Sequence, residues 1–259
     1  MRKRQKHNRL WSFAQQPVSF ASIFFFLVIL SSFSTIREKT VTFSSADGLK
    51  ITADEYITDP QKPYIVLLHE QGSSRGEFKT IARRLCKLDY NCLAVDLRNG
   101  GNDNYVSNET TKRLRQKRLD AGFGDVEQDA LAAIQYVRTK SELPMVLFGS
   151  GANGSLSLKI AVSESNVRAV VALSPGEYFL PEIKIQDAIS SLEKPVFITS
   201  SKPELPYVSE LASGINRDYV TLFEPTQGNG ERGTGSFSAD YENNTEYWIA
   251  LILFFKNLM

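Results

Sequence analysis

The stretch Met145-Val146-Leu147-Phe148-Gly149-Ser150-Gly151-Ala152-Asn153-Gly154-Ser155-Leu156 decides how the chain is read. Its four leading apolar residues form an unbroken run, which suits a strand buried on both faces. A glycine-rich turn follows at once and leads into a helix, giving strand, tight turn, helix. Working outward, similar apolar runs recur at Tyr64 to Leu68, Cys92 to Val95, Ala169 to Leu173 and Val196 to Ile198. Amphipathic stretches fill the intervals. Asp125 to Lys140 opens on an Asp with Gln128 three residues on, and repeats Val126, Ala130, Ile134 and Val137. The last helix repeats Tyr247, Trp248, Leu251, Phe254, Phe255 and Leu258. Upstream, Thr40 to Ser45 and Leu49 to Ile57 flank Asp47-Gly48, which supplies the positive φ of a hairpin turn. This alternation predicts an α/β fold: a mostly parallel, doubly wound sheet with an antiparallel N-terminal hairpin, in one domain over residues 37–259.

The 259 residues are 42 % hydrophobic and 23 % charged, with a net charge of +1, two cysteines and two histidines. That balance excludes a disordered chain, a nucleic-acid-binding tail and a disulfide-framework mini-protein. The charge is uneven. Arg2, Lys3, Arg4, Lys6 and Arg9 give residues 1–36 a charge of +5 and leave the remainder at −4. No charged residue lies between Arg9 and Arg37, and the 19 residues from Val18 to Ile36 centre on the apolar run Ile23 to Leu30. As a helix they would reach roughly 28 Å, about one bilayer core. Residues 1–36 therefore read as a basic lead and a membrane segment, either a retained signal-anchor or a signal peptide cut after Ser32 and Ser34. Both forms leave the basic start in the cytoplasm and residues 37–259 on the extracytoplasmic side.

In that oxidising space Cys86 and Cys92 have two readings, a disulfide or two buried small hydrophobes. The long connection from Arg98 to Gly124 carries Lys112, Arg113, Arg115, Lys117 and Arg118, either an anion or lipid-headgroup contact or a solvated helix face. No His or Cys cluster has metal-ligand spacing and the lysine of a phosphate-binding loop is missing, so no metal or cofactor is expected.

Ligands of open α/β sheets sit beyond the carboxyl ends of the strands. There the chain carries His69-Glu70-Gln71-Gly72 with Ser73-Ser74-Arg75-Gly76-Glu77, then Leu93 to Arg98, Asn108-Glu109-Thr110, the Gly149–Gly154 turn and Ser174 to Phe179. From about Thr40 onward these residues resemble the α/β-hydrolase superfamily, specifically its dienelactone-hydrolase-like bacterial branch. The resemblance implies the α/β-hydrolase fold and ester-type hydrolysis by a nucleophile, an acid and a histidine in that chain order. It also implies oxyanion donors at the backbone N–H groups of Glu70 and Ala152.

Carried over position by position, the catalytic set is incomplete. The elbow pattern G-x-S-x-G starts at Gly149, which puts Gly151 at the nucleophile and Asn153 at the last position. Glycine offers no nucleophile. A one-residue slip would make Ser150 the nucleophile, but it sets Phe148 where the turn wants a small residue. The histidine position, in the turn Gly228 to Thr234, falls on Arg232, whose guanidinium stays protonated. The acid position falls on Glu204, which reads otherwise as a surface Glu in a Pro-rich loop; Glu204 and Arg232 are candidates for an ion pair. His7 lies across the membrane segment and His69 reads as a hydrogen-bonded structural residue. The expectation is an exported, membrane-anchored and catalytically degenerate member of this fold that binds a small acyl or carboxylate ligand or a protein partner. Its rival is an active serine hydrolase using Ser150.

Overall fold

Asp47-Gly48 makes the first turn: Gly48 takes φ +78° and the Asp47 carboxylate accepts from the Leu49 N–H at 3.1 Å. In the computed structural model, which describes residues 35–119 and 121–258, this turn joins β1 (Arg37–Ser44) to β2 (Lys50–Ile57) as an antiparallel pair. The apolar runs become β3 (Tyr64–Leu68) and β4 (Asn91–Val95), then β7 (Met145–Ser150), β8 (Val167–Leu173) and β9 (Val196–Thr199). An eighth strand, β10 (Val220–Phe223), closes the far edge. The order is β1-β2-β4-β3-β7-β8-β9-β10, and β2 alone runs against the others. The expected α/β-hydrolase architecture is the one observed.

Helices cover both faces, as unbroken apolar strands require. Helices α3 (Phe123–Arg138), α4 (Ala152–Ser163), the short α5 (Ile185–Ala188) and α6 (Leu205–Ala212) bury one face. The other lies under α1 (Lys79–Cys86) and α7 (Asn244–Leu258). Trp248 of α7 is fully buried against Phe237, with its indole N–H donating to the Phe237 carbonyl at 3.1 Å. That contact fixes the turn that carries Arg232.

The long connection after β4 is ordered by charge rather than by regular structure. It holds a two-residue ribbon, β5 (Asn102–Asp103) with β6 (Val106–Ser107), and α2 (Glu109–Lys117). Arg98, at its start, is 2 % exposed and donates to Asp129 of α3 through Nε and Nη2 and to Asp47 through Nη1 at 2.7 Å. One guanidinium thus ties hairpin, connection and helix together. Part of the basic run is structural: Arg113 donates to the Lys50 carbonyl at 2.9 Å and to Thr52 Oγ1 at 2.7 Å, while Lys112 pairs with Glu109.

Two details differ from the sequence reading. Helix α3 begins at Phe123, two residues early, because Asp125 accepts from the Gly122 N–H as the third residue of the helix and is not its cap. Strand β10 carries no unbroken buried run; its four residues are half-buried or exposed at the sheet edge. Cys86 and Cys92 are free buried thiols, turned toward the carbonyls of Tyr56 and Ala82. The expected membrane segment, residues 18–36, lies outside the described residues except for Thr35 and Ile36. Among the described residues no helix is long and apolar enough to cross a membrane.

Candidate functional site

The turn after β7 requires its glycines. Gly151 sits at φ +56°, ψ −128°, between the last strand residue, Ser150, and the first helical one, Ala152. At Gly149 a Cβ would stand 2.3 Å from the Asn153 carbonyl oxygen, so only glycine lets strand and helix approach this closely. The backbone is that of a nucleophile elbow, with no side chain at its apex.

Another residue fills the space. A Cβ built on Gly151 would lie 2.7 Å from Glu70 Oε1 and 2.9 Å from both Glu70 Cγ and Cδ. The Glu70 side chain therefore lies over the elbow, where a nucleophile would project. Arg232 holds it there: Nε and Nη2 both reach Glu70 Oε1 at 2.8 Å. The same guanidinium pairs through Nη1 with Glu204 and donates through Nη2 to Tyr178 Oη at 2.8 Å. The pairing of Glu204 with Arg232 read from the sequence is present, extended by Glu70 into a carboxylate–guanidinium–carboxylate chain.

Each end of that chain is anchored. Glu204 follows β9 and accepts from Ser201 Oγ at 2.7 Å and Ser174 Oγ at 2.9 Å. Burial works to raise its pKa, but these hydroxyls and Arg232 outweigh burial and hold the carboxyl below its ordinary range. Ser174, directly after β8, also accepts from the Gly233 N–H at 2.9 Å, which docks the Arg232 turn onto the sheet. Burial opposes the Arg232 charge as well; bonds to Tyr178 and Glu70 prevail and keep it firmly protonated.

The expected oxyanion donor at Glu70 is already engaged. Its N–H donates at 2.8 Å to Glu77 Oε2, whose other oxygen accepts from Thr234 Oγ1 at 2.9 Å. A carboxyl group of the protein thus accepts from the N–H expected to serve an oxyanion. Burial pushes the pKa of Glu77 up to about 7, against the lowering effect of the Glu70 N–H and neighbouring hydroxyls. Ala152 stands at the N-terminus of α4 as expected. The Ser150 hydroxyl is 0 % exposed and faces Glu77 and Gly233 without a hydrogen bond of good geometry. Solvent does not reach it.

His69 is structural. Its Nε2 accepts from the Leu97 N–H at 2.9 Å, which makes Nδ1 the donor to the Glu70 carbonyl at 2.8 Å. Burial lowers its pKa, in keeping with a neutral ring.

The Glu77 shift predicts a pH signature. Between the ordinary 4.5 and about 7, the folded state holds a proton that the unfolded state has lost. Stability contributed by this carboxyl is therefore full below pH 4.5 and declines as pH rises to 7. Glu77→Gln removes the decline, so relative to the parent it gains about 2–3 kcal/mol between pH 4.5 and 8. Urea unfolding at both pH values checks this; a constant difference between the two proteins would refute it.

Two clefts meet at the Glu70–Arg232 pair. One, of about 330 Å³, is polar and bounded by Glu70, Ser73, Glu77, Asp103 and Thr234. The other, of about 410 Å³, is lined by Arg232 and Glu204, the Pro175–Tyr178 loop, α5 and α6. Among the described residues no cluster of three or more His, Cys, Asp or Glu side chains is placed to hold a metal. Tyr178, Glu70 and Glu77 were absent from the sequence-derived side-chain set, because sequence orders the loops but does not say which side chains turn inward.

Known structures share this fold. An esterase of Pyrococcus furiosus superposes with a TM-score of 0.64 at 18 % identity, over 84 % of this chain and 90 % of its own. The dienelactone hydrolase of Anabaena variabilis gives 0.62 at 16 % identity, over 85 % and 95 %. An esterase domain from Rhodothermus marinus gives 0.59 at 15 %, over 84 % and 96 %. No curated protein matches the sequence. The sequence model of the dienelactone hydrolase family matches residues 53–206, a span that includes the elbow and Glu204 and ends before Arg232. With more than half of its length matched and the strand order of an α/β-hydrolase, the chain belongs to the dienelactone hydrolase family.

Proposed function

We propose that this member of the dienelactone hydrolase family binds rather than hydrolyses, as an exported domain held at a membrane by residues 18–36. One observation carries the reading: the Glu70 carboxylate fills the space above Gly151 and is clamped there by Arg232. A guanidinium cannot take a proton near neutral pH, so nothing at the histidine position can activate a nucleophile. The Glu77 carboxyl on the Glu70 N–H removes an oxyanion donor as well. What persists is a cleft of about 410 Å³ lined by Arg232 and Glu204, suited to a small acyl ligand. Arg232 gives a ligand carboxylate little attraction, since two protein carboxylates already neutralise it.

The membrane placement rests on sequence: an uncharged apolar stretch behind five basic residues, which favours a cytoplasmic start and an extracytoplasmic domain. Retention of the full chain in the membrane pellet after alkaline extraction supports the anchor; release into the supernatant refutes it.

The catalytic reading is tested with a fluorophosphonate probe on the full chain, alongside hydrolysis of a short p-nitrophenyl ester. Neither labelling nor turnover above background is expected. Labelling that disappears in Ser150→Ala would overturn the proposal in favour of a serine hydrolase.

A further inference from the structure

The 410 Å³ cleft combines aromatic walls with an excess of acid. Tyr178 and Tyr207 are 42 % and 74 % exposed along it, and Val208 and Leu211 of α6 form its apolar floor. Both cations of the wall are already committed. Arg232 is paired with Glu70 and Glu204, and Lys184 with Asp187 at 2.9 Å. Of the remaining lining carboxylates, Glu177 accepts from the backbone N–H groups of Ile185 and Gln186, at 2.7 and 2.8 Å, and forms no ion pair among the described residues. Glu210 lines the cleft with no ion pair among the described residues.

The balance of charge decides the head group. An incoming anion would have to displace a protein carboxylate from Arg232, whereas an ammonium meets the Tyr207 ring and two carboxylates, Glu177 and Glu210, that form no salt bridge among the described residues; Arg232 already lies over the Tyr178 ring, and Lys184 offsets the two acids only through space. We infer that the cleft takes an amphipathic molecule with an apolar body and a cationic or neutral head, and discriminates against the matching carboxylate. This reverses what Arg232 alone suggests. The inference rests on the proposed binding role and names its ligand class.

The test uses three molecules of one shape, 4-phenylbutylamine, 4-phenylbutan-1-ol and 4-phenylbutyrate, titrated calorimetrically into the full chain in detergent at pH 7.5. The amine is expected to bind about tenfold tighter than the carboxylate, with the alcohol between them. Glu210→Gln should shrink the amine preference about threefold and leave the alcohol unchanged. Tyr207→Ala, at an exposed position that tolerates truncation, should weaken all three. Carboxylate binding equal to or tighter than amine binding overturns the inference, and so does absence of binding by all three at millimolar concentration. Failure of the binding role itself reads differently, as hydrolysis of the p-nitrophenyl ester, whatever the head-group order.

Discussion

Arg98→Ala is expected to lower the unfolding free energy by about 3–5 kcal/mol. The guanidinium is 2 % exposed and Asp129, its principal partner, is 0 % exposed. Bonds run from Arg98 Nε and Nη2 to Asp129 and from its backbone N–H to the same carboxylate at 2.9 Å. Removing the side chain leaves Asp129 buried with one backbone donor and no countercharge. Burial then dominates and pushes that carboxyl further above its ordinary pKa, where it already lies. The penalty arises from the orphaned acid, since the intact pair gains little over an apolar replacement. Arg98→Met with Asp129→Leu should therefore recover much of the loss, which urea denaturation of the two variants will measure. If Arg98→Ala costs under about 1 kcal/mol, the cluster behaves like a surface ion pair and this account of the connection is wrong.

The same cluster explains why the fold was legible in the sequence while parts of its architecture were not. Runs such as Tyr64 to Leu68 are apolar at every position because helices cover both faces of the sheet, and that requirement is written locally. Strand β10 escapes because an edge strand with exposed Thr221 and Leu222 has no such constraint. Its pairing with β9 is set by the tertiary fold. The order in the Arg98–Gly124 connection depends on Asp47 and Asp129, which lie 51 and 31 residues from Arg98 in the chain. No local pattern announces a partner at such a distance.

The site divides along the same line. Gly151 and Arg232 were readable because each stands at a position whose backbone is fixed by turn geometry: an elbow at φ +56°, and a turn pinned by Ser174 and Trp248. Glu70 was read only as a backbone donor. Its side chain proves to be the decisive group, because the missing Cβ of Gly151 leaves room for it and the Arg232 charge draws it in. Two residues that look unrelated in the sequence thus act together. Glycine opens the space, and arginine fixes an acid within it. Glu77 belongs to the same arrangement: its carboxyl accepts from the Glu70 N–H, a contact that no local pattern announces.

Rebuilding the catalytic set should reverse this arrangement, and it carries the largest expected change in activity. Gly151→Ser alone is expected to stay unlabelled by a fluorophosphonate. Its Cβ meets the clamped Glu70 side chain at 2.7–2.9 Å, its backbone is strained by about 1–3 kcal/mol, and no base stands beside it. Arg232→His supplies the base and releases Glu70 together. Glu204, kept in place by Ser174 and Ser201, can then accept from the imidazole and orient it. Glu70→Ala clears the space while preserving the backbone N–H. The triple variant Gly151→Ser, Arg232→His, Glu70→Ala is therefore expected to label with the probe and to hydrolyse a p-nitrophenyl ester measurably, where the proposal expects the parent to do neither. Adding Glu77→Ala should raise the rate by about ten- to a hundredfold, because it returns the backbone N–H of residue 70 to the developing oxyanion. Circular dichroism and the urea midpoint establish that each variant is folded. A folded triple variant that neither labels nor turns over would mean that Gly151, Arg232 and Glu204 do not stand as nucleophile, histidine and acid, and the clamp would need another explanation. Labelling in the triple variant that vanishes when position 151 alone is returned to the native glycine ties the gained activity to the elbow and supports the proposal that the Glu70 carboxylate blocks it in the parent.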